Sequence, residues 1–122
     1  MTAPSLWRRA RNNLVQLRRR GRICTIDVSD DGFVLTVRKR ERRMRWADIV
    51  RIDAGIRDFV TSDELYVVMA GATSEIELQE LDDGFRQFEI ALFARWPEIR
   101  EPVERLQRGN PHEPHRETVW RR

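Results

Sequence analysis

The sequence predicts an α+β domain: about six antiparallel strands in a curved sheet or partial barrel, capped by a C-terminal helix and preceded by a basic amphipathic N-terminal helix. Two periodicities and their order carry this expectation. Apolar residues recur at every second position through most of 23–79, the period of a half-buried strand. From Phe85 to Trp96 they recur at spacings of three and four, which places them on one helical face. Strands come first and the helix follows, rather than alternating with them, which is the order of an α+β chain.

The elements follow in turn. Leu6, Ala10, Leu14 and Leu17 are spaced four, four and three, so residues 5–20 read as a helix with Trp7 flanking the stripe and arginines on the remaining arc. Ser5 suits its start, and Gly21 after Arg18, Arg19 and Arg20 suits its end, where cations complement the helix dipole. Cys24, Ile26 and Val28 then alternate with polar residues up to the turn Ser29-Asp30-Asp31-Gly32. Phe33, Leu35 and Val37 form the returning strand. Arg38-Lys39-Arg40-Glu41-Arg42 is too polar for a core and reads as the exposed tip of a second hairpin, after which Met44 and Trp46 point inward and Arg43 and Arg45 outward.

Beyond Ala47-Asp48, Val50, Ile52, Ala54 and Ile56 alternate with Arg51, Asp53, Gly55 and Arg57, so the charges are expected on the wet outer face of a strand. After a polar connection from Asp58 to Asp63, the run Leu65-Tyr66-Val67-Val68-Met69-Ala70 is expected to be a central strand buried on both faces. Gly71-Ala72-Thr73-Ser74 turns the chain into a sixth strand bearing Ile76 and Leu78. Asp82 or Asp83 suits the cap of the helix that carries Phe85, Phe88, Leu92 and Trp96, and Pro97 ends it. Ile99, Val103 and Leu106 read as a further short helix after Pro102 or a loosely packed extension. The tail from Gln107 is polar and Pro-interrupted, and is expected to be mobile apart from a docking contact by Trp120. The chain thus divides into a basic helix over 1–21, a core domain over 22–97 and a C-terminal extension over 98–122.

A length of 122 residues suits one domain. The single cysteine, Cys24, excludes an internal disulfide framework and fits a reducing compartment, with the cytoplasm as the expectation. No apolar run approaches the roughly 18 residues of a membrane helix, and the first residues lack the apolar segment of a secretory signal. The net charge of +3 conceals an uneven distribution: residues 1–51 carry 14 Lys/Arg against 5 Asp/Glu, residues 52–104 carry 4 against 13, and residues 105–122 carry 5 against 2. The expectation is that the first two segments interleave in the fold and neutralise one another, the asymmetry otherwise being only a pointer to partners.

The quoted order resembles a known family. The turn Asp30-Asp31-Gly32-Phe33, the junction Trp46-Ala47-Asp48-Ile49-Val50-Arg51-Ile52, the connection 58–63 before Leu65-Tyr66-Val67-Val68, and Glu80-Leu81-Asp82-Asp83-Gly84-Phe85 leading to Arg95-Trp96-Pro97 are similar to small, mostly uncharacterised bacterial proteins with a pleckstrin-homology-like (PH-like) fold. The resemblance covers about residues 22–97 and implies a fold more than an activity. Members of that fold often bind phosphoinositides through basic residues around the first hairpin loop. Here that loop is acidic and the basic cluster sits one hairpin later, so no lipid-binding residues carry over.

Catalytic signals are thin. His112 and His115 lie in the tail without a Cys or carboxylate constellation, Cys24 alternates with inward apolar residues, and adjacent Asp82 and Asp83 suit a cap better than an acid/base pair. No phosphate-binding, dinucleotide or zinc-protease motif is present, so the expectation is a non-enzyme with no cofactor, no metal and no small-molecule substrate. Asp48, at a strand break, is expected to accept backbone N–H bonds in a turn. The candidate basic surface is Arg18, Arg19, Arg20, Arg22, Arg38, Lys39, Arg40, Arg42 and Arg43. Its bland reading is solvated charge that keeps strand edges apart. The function expected is a protein-interaction module with another protein as partner. The alternative is electrostatic binding to nucleic acid or an anionic membrane through the N-terminal helix, with Arg8, Arg9 and Arg11, and the 38–43 hairpin. Trp46 and Phe33 fall on core faces, which leaves no exposed aromatic platform beside the hairpin arginines for nucleic-acid bases.

Overall fold

The computed structural model describes residues 24–58, 63–109 and 115–122. The helix expected over 5–20 lies outside them. Strands β1 (Cys24–Val28), β2 (Gly32–Val37) and β3 (Arg40–Arg45) form a three-stranded antiparallel sheet in the order β1-β2-β3. Strands β4 (Arg51–Asp58), β5 (Asp63–Ala70), β6 (Glu75–Gln79) and β7 (His115–Arg121) form a second antiparallel sheet in the order β6-β5-β4-β7. Helices α1 (Phe85–Arg95) and α2 (Arg100–Gln107) follow β6, separated by a 3-10 turn over Pro97–Ile99. The class is therefore α+β, but the strands divide into two sheets that do not close into a barrel, in place of one curved sheet.

The division falls at Trp46–Asp48, a 3-10 turn between β3 and β4. Both sheets and both helices bury their apolar sides in one core: Ile26, Phe33, Leu35 and Met44 from the first sheet, Ile52, Ala54, Leu65, Val67, Met69, Ile76 and Leu78 from the second, and Phe85, Phe88, Leu92 and Val103 from the helices. Period two thus placed these strand residues inward, although ahead of β4 the core takes Ile49 and not the expected Val50, and β5 is buried on both faces from Glu64 to Ala70. Pro102 is accommodated in the first turn of α2, where its missing N–H has no helical partner to lose.

Three expectations are corrected. Residues 115–121, expected to be mobile, form β7, which pairs with β4 from Arg51↔Arg121 to Ile56↔His115. Trp120 does dock, its ring centroid 5.4 Å from that of Trp96. Second, the start of α1 is not capped by an aspartate. Gly84 holds the cap position at φ 90, while the Asp82 carboxylate accepts from the Gln79 N–H at 2.9 Å and closes the preceding turn. Third, the charges of β4 do not lie on a wet face: Asp53 is 5% exposed and paired across the sheet, as described below.

Gly84 is required twice over. Its φ is in the left-handed region, and a Cβ there would lie 2.2 Å from the Ile26 carbonyl oxygen. That approach exists because the turn before α1 runs alongside β1, with the Ile26 N–H donating to the Asp83 carbonyl at 2.7 Å and the Asp83 N–H to the Cys24 carbonyl at 3.0 Å. We expect Gly84→Ala to destabilise the protein by about 3 kcal/mol in urea denaturation, combining backbone strain with a clash against main chain. Gly71→Ala, whose Cβ meets nothing closer than 3.5 Å, should stay within about 0.5 kcal/mol of the parent.

Candidate interaction surface

The sequence-predicted basic residues divide by location. Arg18, Arg19, Arg20 and Arg22, like Arg8, Arg9 and Arg11, lie outside the described residues. Arg38, Lys39, Arg40, Arg42 and Arg43 come together on the β2–β3 hairpin, all of them exposed.

The hairpin is closed by two residues. Val37 pairs with Arg40, leaving Arg38 (φ 54) and Lys39 (φ 68) as the turn, the only non-glycine residues with positive φ among those described. Two successive positive φ angles are the type I′ pattern, which matches the twist of the flanking strands and strongly favours Asn-Gly. Arg and Lys carry a Cβ into that conformation at about 1 kcal/mol or more each.

Register then sorts the side chains. Thr36↔Glu41, Val34↔Arg43 and Gly32↔Arg45 place Glu41, Arg43 and Arg45 on the outer face of β3. Val37↔Arg40, Leu35↔Arg42 and Phe33↔Met44 place Arg40, Arg42 and Met44 on the other. On the outer face the charges are matched locally: Arg43 Nη2 donates to Glu41 Oε2 at 2.8 Å, and Arg45 donates to Asp48 from Nε at 3.0 Å and Nη2 at 3.2 Å. The Asp48 bond raises the Arg45 guanidinium pKa, and the Arg45 bond holds the Asp48 carboxyl below the usual range. Asp48 thus serves a side-chain partner, not the backbone N–H groups expected for it. Arg38, Lys39, Arg40 and Arg42 make no ion pair among the described residues.

The opposite regime holds on the outward face of the second sheet. Asp53 accepts from Arg116 Nη2 at 2.7 Å and Nε at 3.1 Å, and from Thr118 Oγ1 at 2.8 Å, with Arg51 Nε 3.2 Å away. Arg57 donates to both carboxylate oxygens of Glu77, from Nη1 at 2.6 Å, and lies 4.0 Å over the Tyr66 ring. Tyr66 in turn lies across Gly55, where a Cβ would meet the phenolic oxygen at 2.4 Å. Arg51 also pairs with Glu75. These partners come from different strands, so this network was invisible in the sequence; the alternation of Arg and Asp along β4 was its only signal. It pins β7 to β4.

Among the described residues no group of three His, Cys, Asp or Glu side chains is placed to hold a metal ion, and no helix is long and apolar enough to cross a membrane. The chain matches no family model, no curated protein and no solved structure.

Burial pushes the Asp53 carboxyl up, but the Arg116 and Thr118 hydrogen bonds and the charges of Arg51 and Arg116 outweigh it, so the net shift is below the ordinary 3.8. An unfolded chain therefore binds more protons than the folded one just below that value. The contribution of Asp53 is complete above about pH 4 and is lost as pH falls through its lowered pKa. Asp53→Asn should cost about 2 kcal/mol at pH 7 and flatten the stability profile below about pH 4. Urea denaturation followed by tryptophan fluorescence measures both, and parallel pH profiles for the two proteins would refute this role.

Proposed function

We propose that this chain is a non-enzymatic protein-interaction module whose β2–β3 hairpin docks on an acidic partner. The observation that carries the reading is the turn itself. Arg38 and Lys39 occupy left-handed positions where Asn-Gly is the low-energy choice, so stability is forgone to present two cations at an exposed tip. Keeping copies of the chain from pairing requires charge on the strand, and does not require bulky cations in the turn. The neighbouring Arg40 and Arg42 extend the same unmatched charge along β3. Nucleic acid is the weaker alternative, because Phe33 and Trp46 are buried at 2% and 4% exposure and offer the hairpin no surface on which bases could stack.

The resemblance to PH-like proteins belongs to the same proposal. It is supported by two antiparallel sheets sharing one core and by a helix following β6; β7, after the helices, is an addition to that plan.

The double variant Arg38→Asn/Lys39→Gly separates function from stability. It is expected to raise stability by about 1–2 kcal/mol, because it relieves the turn, while weakening binding to a Glu-rich peptide about fivefold through the loss of two cations. Urea denaturation gives the first quantity and fluorescence anisotropy the second. Unchanged peptide affinity overturns the proposal. So does tighter binding of RNA or anionic vesicles than of the peptide at about 0.15 M salt, where weak surface attraction is largely screened.

A further inference from the structure

We infer that β3 receives its partner by strand addition: an extended acidic segment of another protein pairs with the edge of β3 that no other described strand occupies, and sets carboxylates at alternate positions against Arg40 and Arg42. This rests on the reading of the hairpin as an acidic-partner site and specifies how that site binds.

Hydrogen-bond phase identifies the open groups. A two-residue turn makes Val37 and Arg40 a hydrogen-bonded pair, and the alternation of an antiparallel ladder then assigns Leu35–Arg42 and Phe33–Met44 to the same class. The Trp46 N–H donating to the Asp31 carbonyl at 2.9 Å continues that phase beyond the strand. Glu41, Arg43 and Arg45 therefore turn their N–H and C=O groups away from β2, toward the edge. The opposite edge of the sheet is different in kind, since β1 is bridged there by Asp83. β3 is exposed on both faces at every position except Met44.

Charge selects the occupant. Arg40 and Arg42 lie two residues apart on one face, roughly 7 Å along the strand, which is the spacing of alternate side chains on an added strand. An acidic residue, any residue, then another acidic residue matches that spacing, with main-chain bonds giving affinity and the alternate side chains giving selectivity. A second β3 is a poor occupant because it sets Arg against Arg. Residues 1–23 of the chain carry seven Arg and no Asp or Glu, so they bear the wrong sign. Glu75 and Glu77 on β6 have the right spacing but are already paired with Arg51 and Arg57.

The test uses the full chain and a synthetic ten-residue peptide alternating Glu with Thr and Val. Arg43→Pro deletes an edge-facing N–H without breaking the β2–β3 ladder, since proline is tolerated at edge positions that face solvent. Arg43→Gln removes the same charge and keeps the N–H. Strand addition predicts at least a tenfold loss of peptide affinity in Arg43→Pro against two- to threefold in Arg43→Gln. It also predicts at least tenfold slower amide exchange at Glu41, Arg43 and Arg45 of the unsubstituted chain when peptide is bound. That exchange measurement decides the matter even if Arg43→Pro fails to fold. Equal losses in the two variants, or binding without slower edge exchange, overturns strand addition and leaves electrostatic docking standing. No peptide binding at all removes both, and self-association in sedimentation that competes with the peptide transfers the edge to a second copy.

Discussion

The arrangement depends on one side chain, Trp46. It is 4% exposed and occupies the 3-10 turn where the chain leaves one sheet for the other. Its ring centroid lies 5.5 Å from Phe33 on β2, 6.2 Å from Phe88 on α1 and 6.0 Å from Trp96 just beyond α1; Trp96 continues the contact to Trp120 on β7. Its indole N–H is also spoken for, donating to the Ser29 carbonyl at 3.2 Å, so the aromatic surface is buried without leaving a buried donor unpaired. The first sheet, the helix and the last strand are thereby held against one ring. The β2–β3 hairpin grows from that anchor, and its base is fixed before its tip is considered.

What the sequence made legible was whatever depends on neighbours along the chain. Period two located β1, β2, β4 and β6, and the apolar run located β5, because burial of one or both faces is written into consecutive residues. Phe33, Trp46, Phe88 and Trp96 of the aromatic cluster were placed on core faces by strand and helix periodicity, whereas Trp120 was expected only as a docking contact from a mobile tail. β7 was illegible because HRETVWR has only Val119 and Trp120 to bury, and its pairing shifts register between Ile52 and Asp53, which breaks the alternation a strand would otherwise show. Its attachment is polar instead, through Arg116 and Thr118 to Asp53, groups 63 and 65 residues apart in sequence. The helix start was misassigned because aspartate is a common cap, whereas here the main chain of β1 comes too close for any residue but glycine.

The same distinction governs the charges. Along β4, Arg51, Asp53 and Arg57 look like a solvated row, yet each finds a partner on another strand, and in the Arg51–Glu75 and Arg116–Asp53 pairs a basic segment of the chain is neutralised by the acidic one. At the β2–β3 hairpin this interleaving does not occur: no carboxylate from residues 52–104 pairs with any cation between Arg38 and Arg43 among the described residues, and the pairs present are local. The asymmetry read from composition thus survives folding in one place. Its candidate residues were legible in the sequence; that Arg38, Lys39, Arg40 and Arg42 stay without an ion pair among the described residues while Arg43 pairs with Glu41 was not, because matching is a property of the assembled sheets.

Conflict between local preference and global fold is informative where it is confined. Among the described residues the positive φ angles outside glycine fall only at Arg38 and Lys39. A turn of this type persists with unsuitable residues only if the strands beside it over-determine its geometry, which β2 and β3 do by pairing continuously from Gly32↔Arg45 to Val37↔Arg40. Arg38 and Lys39 project from a two-residue turn closed by the Val37↔Arg40 pair, and a turn so constrained leaves less backbone freedom to be lost on binding. Rigid presentation is of little use to a solvating charge, which functions equally well while moving. It is of use to a surface that must match a row of carboxylates at fixed spacing, and that is the physical reason to propose this hairpin as the docking site in preference to the larger charged face of the second sheet.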